Sequence, residues 1–440
     1  MKRIMLAAMS SGCGKTTVAC ALLRALARRG ISAEGFKCGP DYIDPMFHRR
    51  AVGVPCRNLD LFLQGENGVR RTLAGQAEEV AVLEGAMGYY DGAGGNDMGS
   101  AWHIADITDT PVILILNPAG IGNTLAAQVN GLLSFRPRSR IEGLILNSCS
   151  NSLFEYLKPI LERECGLPVL GFLPKLESAG LESRHLGLVT ADEIDNFDHI
   201  IDTLASELEE HCSIDKILDM CAGSAPAASA EDRPKPPCCR IAVAHDAAFC
   251  FYYEESLLAL KAAGAELCFF SPLEDKALPE CDGLYLGGGY PELYAEKLSE
   301  NAAMRSQIQH AVKAGMPVVA ECGGFLYLQQ SLAGRPMAGV LSGDGYMTGR
   351  LQRFGYVTLT APADSMLFRA GERLPAHEFH YCDCTENGTD LKAQKTNGAI
   401  RRCGFCTETM YAAFPHLHFG GEAPLAGRFV EKAAQYKETK

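Results

Sequence analysis

Two separated stretches carry residues whose types and spacing point to chemistry. The first is Met9-Ser10-Ser11-Gly12-Cys13-Gly14-Lys15-Thr16-Thr17. Glycines at 12 and 14 let backbone N–H groups close on phosphate oxygens. Lys15 adds a point charge near the terminal phosphates, and the Thr16 hydroxyl suits Mg²⁺. Gly12, Cys13, Gly14, Lys15, Thr16 and Thr17 are therefore candidate ATP contacts. The second stretch is Pro317-Val318-Val319-Ala320-Glu321-Cys322-Gly323-Gly324, a strand, a sharp turn and a helix with cysteine at the turn. That is a nucleophile elbow, and the helix N-terminus behind Cys322 is expected to lower its thiol pKa from about 8.5. The triplet Gly287-Gly288-Gly289 ends an earlier strand, so Gly288, Gly289 and Gly323 are candidate oxyanion-hole donors. Phe414-Pro415-His416-Leu417-His418-Phe419 supplies a histidine base, with His416 preferred.

Four further features surround the phosphate loop. Phe36-Lys37-Cys38-Gly39-Pro40-Asp41-Tyr42-Ile43-Asp44-Pro45 packs a lysine and two carboxylates into a turn. Val82-Leu83-Glu84 is an apolar strand ending in a carboxylate, where a nucleotide enzyme holds Mg²⁺, and a glycine-rich loop follows to Asp91 and Gly92. Thr16, Asp41 and Glu84 are the expected metal donors, with Lys37 beside the phosphates. Asp41, Tyr42, Asp44, Asp91, Arg184 and His185 are candidates for the substrate and acyl-phosphate site. Asn147 ends a strand where it can read an adenine edge. His48, Arg49, Arg50 and Arg57 form a basic loop that suits a carboxylate-rich substrate in an acidic protein.

These residues need elements to hold them. Apolar runs at Ile4–Ala8, Val80–Leu83, Val112–Leu116, Ile141–Leu146 and Val169–Phe172 alternate with helical periodicity, the signature of a parallel sheet covered on both faces. Residues 222–238 are rich in Ala, Pro and Ser and read as an exposed linker. A second α/β alternation opens at Arg240–Ala244, continues through Leu267–Phe270, Gly283–Leu286 and Val318–Ala320, and turns β-rich over the last hundred residues. The expectation is an α/β chain with a phosphate-loop domain at 1–221 and a second α/β domain at 239–440.

Composition narrows the classes. The 440 residues are 47% hydrophobic and 21% charged, which describes globular material rather than disorder. No run of eighteen apolar residues occurs, so no membrane span is expected, and no signal-peptide pattern opens the chain. A net charge of −12 argues against a nucleic-acid partner. Eighteen cysteines beside a phosphate loop suit free thiols in a reducing cytoplasm. Oligomeric state is left open. Cys382, Cys384, Cys403 and Cys406 form two pairs whose spacing a tetrahedral Zn²⁺ can use.

With both halves read, the chain resembles the cobyrinic acid a,c-diamide synthase family. The segments that carry the resemblance are the long phosphate loop, also similar to that of dethiobiotin synthetase, Gly39–Pro45, Asn58-Leu59-Asp60, Glu84–Gly92, Arg184–Leu188, Phe249–Tyr253, Gly287–Leu293, Glu321–Gly324, His377–Tyr381 and His416–Phe419. The resemblance implies an ATP domain joined to a class I glutamine amidotransferase domain. It also implies the reaction: ATP activates the c and then the a acetate of cobyrinic acid, and ammonia from L-glutamine converts each to an amide. The glutamate that completes the triad in many class I amidotransferases has no counterpart at its usual place, where His418 stands. Close alternatives are hydrogenobyrinic acid, nickel-sirohydrochlorin or cobyric acid chemistry. A rival of another class, a partitioning or regulatory ATPase, usually carries a second lysine where Ser10 stands. A binding protein with a dead amidotransferase domain sits badly with an intact Cys322, His416 and glycine triplet.

Overall fold

The continuous apolar runs become parallel strands buried on both faces, as such runs must when helices cover a sheet on each side. The computed structural model describes residues 2–75, 78–176, 194, 196–223 and 234–440, and the chain divides into two units, 1–229 and 230–440.

The first unit holds seven strands: β1 (Lys2–Ala8), β2 (Ala33–Cys38), β3 (Arg57–Leu59), β4 (Val80–Glu84), β5 (Val112–Leu116), β6 (Ile141–Asn147) and β7 (Val169–Leu173). Their order is β3-β2-β4-β1-β5-β6-β7, and every pairing is parallel. Successive residues of β1 face opposite sides of the sheet. Ile4, Leu6 and Ala8 join one apolar cluster with Val18, Leu22 and Leu26 of helix α1 (Lys15–Arg28), while Met5 and Ala7 join another with Leu114 and Leu144. All of these are essentially inaccessible to water. Each fully buried Leu or Ile side chain is worth roughly 1.5–3 kcal/mol, so a charge at Leu6 would disrupt this layer. Because the sheet is parallel, the loops after β1, β2, β4 and β6 open at one edge. Ligands gather at that edge in open α/β sheets.

In the second unit, β8 (Cys239–Ala244), β9 (Ala265–Phe270), β10 (Gly283–Leu286) and β11 (Val318–Glu321) pair in parallel in the order β9-β8-β10-β11. Strand Met410–Ala413 continues the sheet in parallel beside β11, and Phe405–Cys406 closes its edge antiparallel. The β-rich remainder forms a five-stranded antiparallel sheet containing Arg353–Thr360, Arg373–His380 and His416–Leu417, and a four-stranded sheet containing Cys382–Cys384. The stretch expected as a linker is anchored at both ends. Ala222 exchanges backbone hydrogen bonds with Arg3 of β1, and the N–H groups of Lys235 and Cys238 donate to Ala262 and Gly264. Among the described residues, no helix is long and apolar enough to cross a membrane.

Candidate active sites

The phosphate loop leaves β1 and enters α1 through Gly14, which has φ 86° and caps the helix. A side chain there would be strained, and its Cβ would lie 2.0 Å from Asn147 Nδ2. Asn147, at the end of β6, donates that amide to the Cys13 carbonyl at 2.9 Å. The residue expected at the adenine therefore braces the loop from beneath. Gly12 is also left-handed, at φ 79°, while Thr17 lies half-buried in the first turn of α1. The Lys15 ammonium donates to the carbonyls of Ser10 (3.0 Å) and Met87 (2.7 Å), tying the loop to the segment after β4. Burial, reinforced by the charge of Lys37, lowers its pKa. In that segment Asp91 accepts from the Gly88 N–H at 2.9 Å and shapes the turn.

Behind the loop lies a network of charged groups. Thr16 Oγ1 donates to Glu84 Oε1 at 2.7 Å and lies 3.3 Å from Asp44 Oδ1. The Lys37 ammonium bonds Asp44 Oδ2 at 2.6 Å and Glu84 Oε1 at 2.8 Å. His48 Nε2 meets Glu84 Oε2 at 2.7 Å, both fully buried. Burial alone would raise the pKa of Glu84, but Lys37 and His48 hold it below the carboxylate range. Asp44 moves the other way, pushed up to about 7 by burial and by the charge on Glu84. Lys37 stays well above its ordinary value because the neighbouring carboxylates outweigh the cost of its burial.

The structure places several of the expected residues in other contacts. Asp41 is engaged at a turn: its Oδ1 accepts from the N–H groups of Ile43 (2.7 Å) and Asp44 (3.3 Å), at the start of helix α2 (Ile43–Val52). Asn58 holds that turn by donating to the carbonyls of Gly39 and Asp41, with Tyr42 at the helix entry. Asp44, placed in the substrate site from the sequence, is the carboxylate beside Thr16. Most of the basic loop is engaged within the fold. His48 turns inward to Glu84, and Arg57 forms a two-pronged pair with Glu34 at 2.6 and 3.0 Å, both side chains buried. Arg50 pairs with Asp198, and Arg49 is exposed. Arg184 and His185 lie outside the described residues.

In the second unit, Cys322 follows β11 with φ 47° and ψ −97°, a strained conformation that sets its thiol apart from the strand. The turn is cramped on every side, which explains its glycines. A Cβ on Gly324 would lie 2.1 Å from the Leu286 carbonyl, and one on Gly288 would lie 2.5 Å from His416 Cε1. Gly289 N stands 3.1 Å from where a Cβ on Gly323 would be, so two of the three residues offered as oxyanion donors are neighbours. Tyr252 secures the triplet by accepting from Gly287 N–H at 2.8 Å, while Phe251 N–H donates to the Gly288 carbonyl at 3.1 Å.

The thiol itself departs from expectation. Burial, with the charge of Glu292 behind it, pushes the Cys322 pKa strongly upward, against the lowering expected from the helix end. A thiol held neutral needs a base within the site. His416 is buried on a strand paired with Arg373–His380, directly opposite His377. His418 is engaged elsewhere: its ring lies 4.9 Å from that of Tyr253 and its Nε2 is 3.9 Å from Glu255, with burial lowering its pKa to about 3. Sequence reasoning missed Glu321. This fully buried carboxylate accepts from Leu417 N–H (2.8 Å) and the Tyr285 hydroxyl (3.0 Å), and its Oε2 lies 3.8 Å from His416 Nδ1. The available signal was an acidic residue directly before the nucleophile.

Zinc is not supported. Cys382 and Cys384 lie in the four-stranded sheet, Cys403 in the five-stranded sheet and Cys406 at the edge of the parallel sheet. Among the described residues, no group of three or more His, Cys, Asp or Glu could hold a metal. Magnesium makes a smaller demand, since it is bound through one or two carboxylates plus substrate phosphates. Thr16, Asp44 and Glu84 present oxygens that fit it.

Residues 4–188 match the CobQ/CobB/MinD/ParA nucleotide binding domain, and residues 240–424 match the CobB/CobQ-like glutamine amidotransferase domain. A cobyrinate a,c-diamide synthase of Clostridium acetobutylicum is 39% identical over 96% of this chain and 98% of that one. The chain belongs to the cobyrinate a,c-diamide synthase family. A second member, from Clostridium tetani, is 37% identical over 98% of this chain and the whole of its own length, and one from Thermoplasma volcanium is 35% identical over 99% and 98%. Among solved structures, a glutamine amidotransferase is similar at TM-score 0.31 and 18% identity, over 44% of this chain and 98% of that one, and adds nothing to the assignment. Membership in this synthase family, with both domains present, makes the chain an ATP-binding ligase that forms amide bonds with glutamine as donor.

Proposed function

We propose that the enzyme amidates the a and c acetate carboxylates of cobyrinic acid in cobalamin biosynthesis, activating each with ATP as an acyl phosphate. The observation that carries this reading is the pairing, in one chain, of a phosphate loop backed by Lys37, Asp44 and Glu84 with a strained Cys322 elbow. The full-length likeness to the named synthases supports the substrate. A carboxylate is a poor electrophile, and transfer of the ATP γ-phosphate to it gives an acyl phosphate that ammonia can attack. Lys15 and Lys37 neutralise the transferring group. Mg²⁺, when bound at Thr16, Asp44 and Glu84, supplies further neutralisation of phosphate charge.

In the other half, the Cys322 thiolate attacks the carboxamide of glutamine, forming a glutamyl thioester and releasing ammonia. His416 accepts the thiol proton and passes it to the leaving nitrogen. Gly288, Gly289 and Gly323 are assigned to the oxyanion. We assign residues 1–221 to synthesis, 222–238 to a linker and 239–440 to glutamine hydrolysis. Eighteen free thiols suit a reducing cytoplasm. The decisive assay incubates the enzyme with ATP and glutamine and either cobyrinic acid, hydrogenobyrinic acid or nickel-sirohydrochlorin. Two amidations read by mass on cobyrinic acid are expected. No product from it, with turnover of either other tetrapyrrole, overturns the substrate assignment.

A further inference from the structure

We infer that Glu321 positions His416 and stabilises its imidazolium, taking the part of the acidic triad member that is missing two residues beyond the histidine. The inference rests on the reading of Cys322 and His416 as nucleophile and base. Its ground is geometric. The carboxylate lies at the end of β11, immediately before the nucleophile, and is almost wholly buried. Both of its oxygens are engaged. Oε1 accepts from the backbone N–H of Leu417, the residue next to His416, and Oε2 accepts from Tyr285 on β10. That Oε2 is also the carboxylate atom nearest His416, 3.8 Å from Nδ1.

Two hydrogen bonds thus hold one carboxylate beside the ring. Leu417 pins the strand that carries the histidine, Tyr285 pins the carboxylate, and Cys322, directly after Glu321, reverses the chain at φ 47°. A proton taken from Cys322 at Nε2 leaves positive charge on the ring, and Glu321 sits at the opposite nitrogen to offset it. His418, at the position where many relatives of the class place their acid, cannot do so. Its burial keeps it neutral. Across the strand pair from His416 stands His377, which burial and His416 itself hold down to about 3. His377 therefore stays neutral in the working range, while Glu292, whose charge acts on Cys322, is pushed by burial up to about 7, so the limb is read in Glu321→Gln beside the same limb in Glu292→Gln.

The test uses the full-length enzyme and the variant Glu321→Gln, which preserves size and the acceptor for Leu417 while removing charge. Glutamine hydrolysis should lose about ten-fold or more in kcat with little change in KM for glutamine, because the loss falls on proton transfer rather than binding. The pH limb that reports His416 should move toward lower pH by about one unit, since an opposite charge within a few ångströms favours the charged imidazole. Glu321→Asp should recover part of the rate. Ammonia-dependent amidation should be unchanged and so certifies folding. Should Glu321→Gln not fold, Tyr285→Phe, which removes the hydrogen bond that holds Oε2 beside the ring and lets the carboxylate turn away, carries the same test with a smaller loss and a limb displaced in the same direction. An unmoved limb in the folded variant overturns the role of Glu321. If Cys322→Ser or His416→Ala retain glutamine hydrolysis, it is the underlying assignment of nucleophile and base that fails.

Discussion

The two sites handle charge in opposite ways. Beside the phosphate loop, Lys15, Lys37, Asp44, Glu84 and His48 stand within hydrogen-bonding reach of one another or of the loop backbone, and their charges hold one another in place. In the second unit, burial keeps the Cys322 thiol and the histidines His377 and His380 neutral. A site that receives a triphosphate must already contain cations whose solvation has been replaced by fixed carboxylates. A site that receives a neutral carboxamide does better to store its nucleophile as a thiol and create charge only when substrate arrives. One chain therefore carries one electrostatically primed site and one that is kept quiet.

The sharpest way to break this comparison is to remove one site and leave the other working. Cys322→Ser should lower glutamine-dependent amidation by about three orders of magnitude or more, yet retain turnover with high ammonium at alkaline pH, where more of it is free base. Lys15→Ala should do the converse, abolishing amidation while glutamine hydrolysis survives at least in part. Equal loss of both activities in either folded variant would show that the sites are not separable.

The contrast also sets a pH order. Unfolded histidines bind a proton near pH 6.5, whereas His377 and His418 hold theirs off to about 3 and His380 to about 4. Between those values the unfolded chain binds more protons. The stability these groups allow is intact above pH 6.5 and falls as the pH drops, by about 1.4 kcal/mol per pH step for each histidine. The first unit has its depressed carboxylate, Glu84, whose contribution is lost only below about 4.5. Acid titration of the whole enzyme should therefore disrupt the second unit first. Trp102, the single tryptophan, reports the first unit by fluorescence, and loss of glutamine hydrolysis after return to neutral pH reports the second. A Trp102 transition that comes first would reverse the argument.

Much of this was legible in the sequence, for identifiable reasons. Strands buried on both faces read as unbroken apolar runs, and the phosphate loop and the elbow are local, fixed by glycines at close-packed turns such as Gly14 and Gly324. Pairings across the fold were not legible. His48 finds Glu84 36 positions away and Leu417 finds Glu321 96 positions away, distances at which no periodicity operates. The cysteine pairs show the converse, a metal-like spacing divided among different sheets. Arg57 is instructive. Read in the sequence it belongs to a basic cluster for substrate, but beside Glu34 it is a buried ion pair. Arg57→Ala should cost about 3–5 kcal/mol of stability through the charge left unpaired on Glu34, and leave the tetrapyrrole KM of the folded fraction unchanged. A ten-fold rise in that KM at unaltered stability would restore the docking role.

The smallest effect separates two jobs for Asn147. Its amide donates to the Cys13 carbonyl and fills the space under Gly14, so it shapes the backbone that meets the phosphates. A neutral hydrogen bond of this kind is worth about 1 kcal/mol net, so Asn147→Ala should raise the nucleotide KM roughly five-fold. Its direction across nucleotides is the informative part. A residue that supports the loop affects every triphosphate alike, because all share the phosphates, and the preference for ATP over GTP should stay as it is. A residue that reads adenine affects ATP alone, and the preference should collapse. Measuring KM for both nucleotides in wild type and variant decides between them. An unequal change would return Asn147 to the base and leave the curvature of the phosphate loop to Gly12 and Gly14.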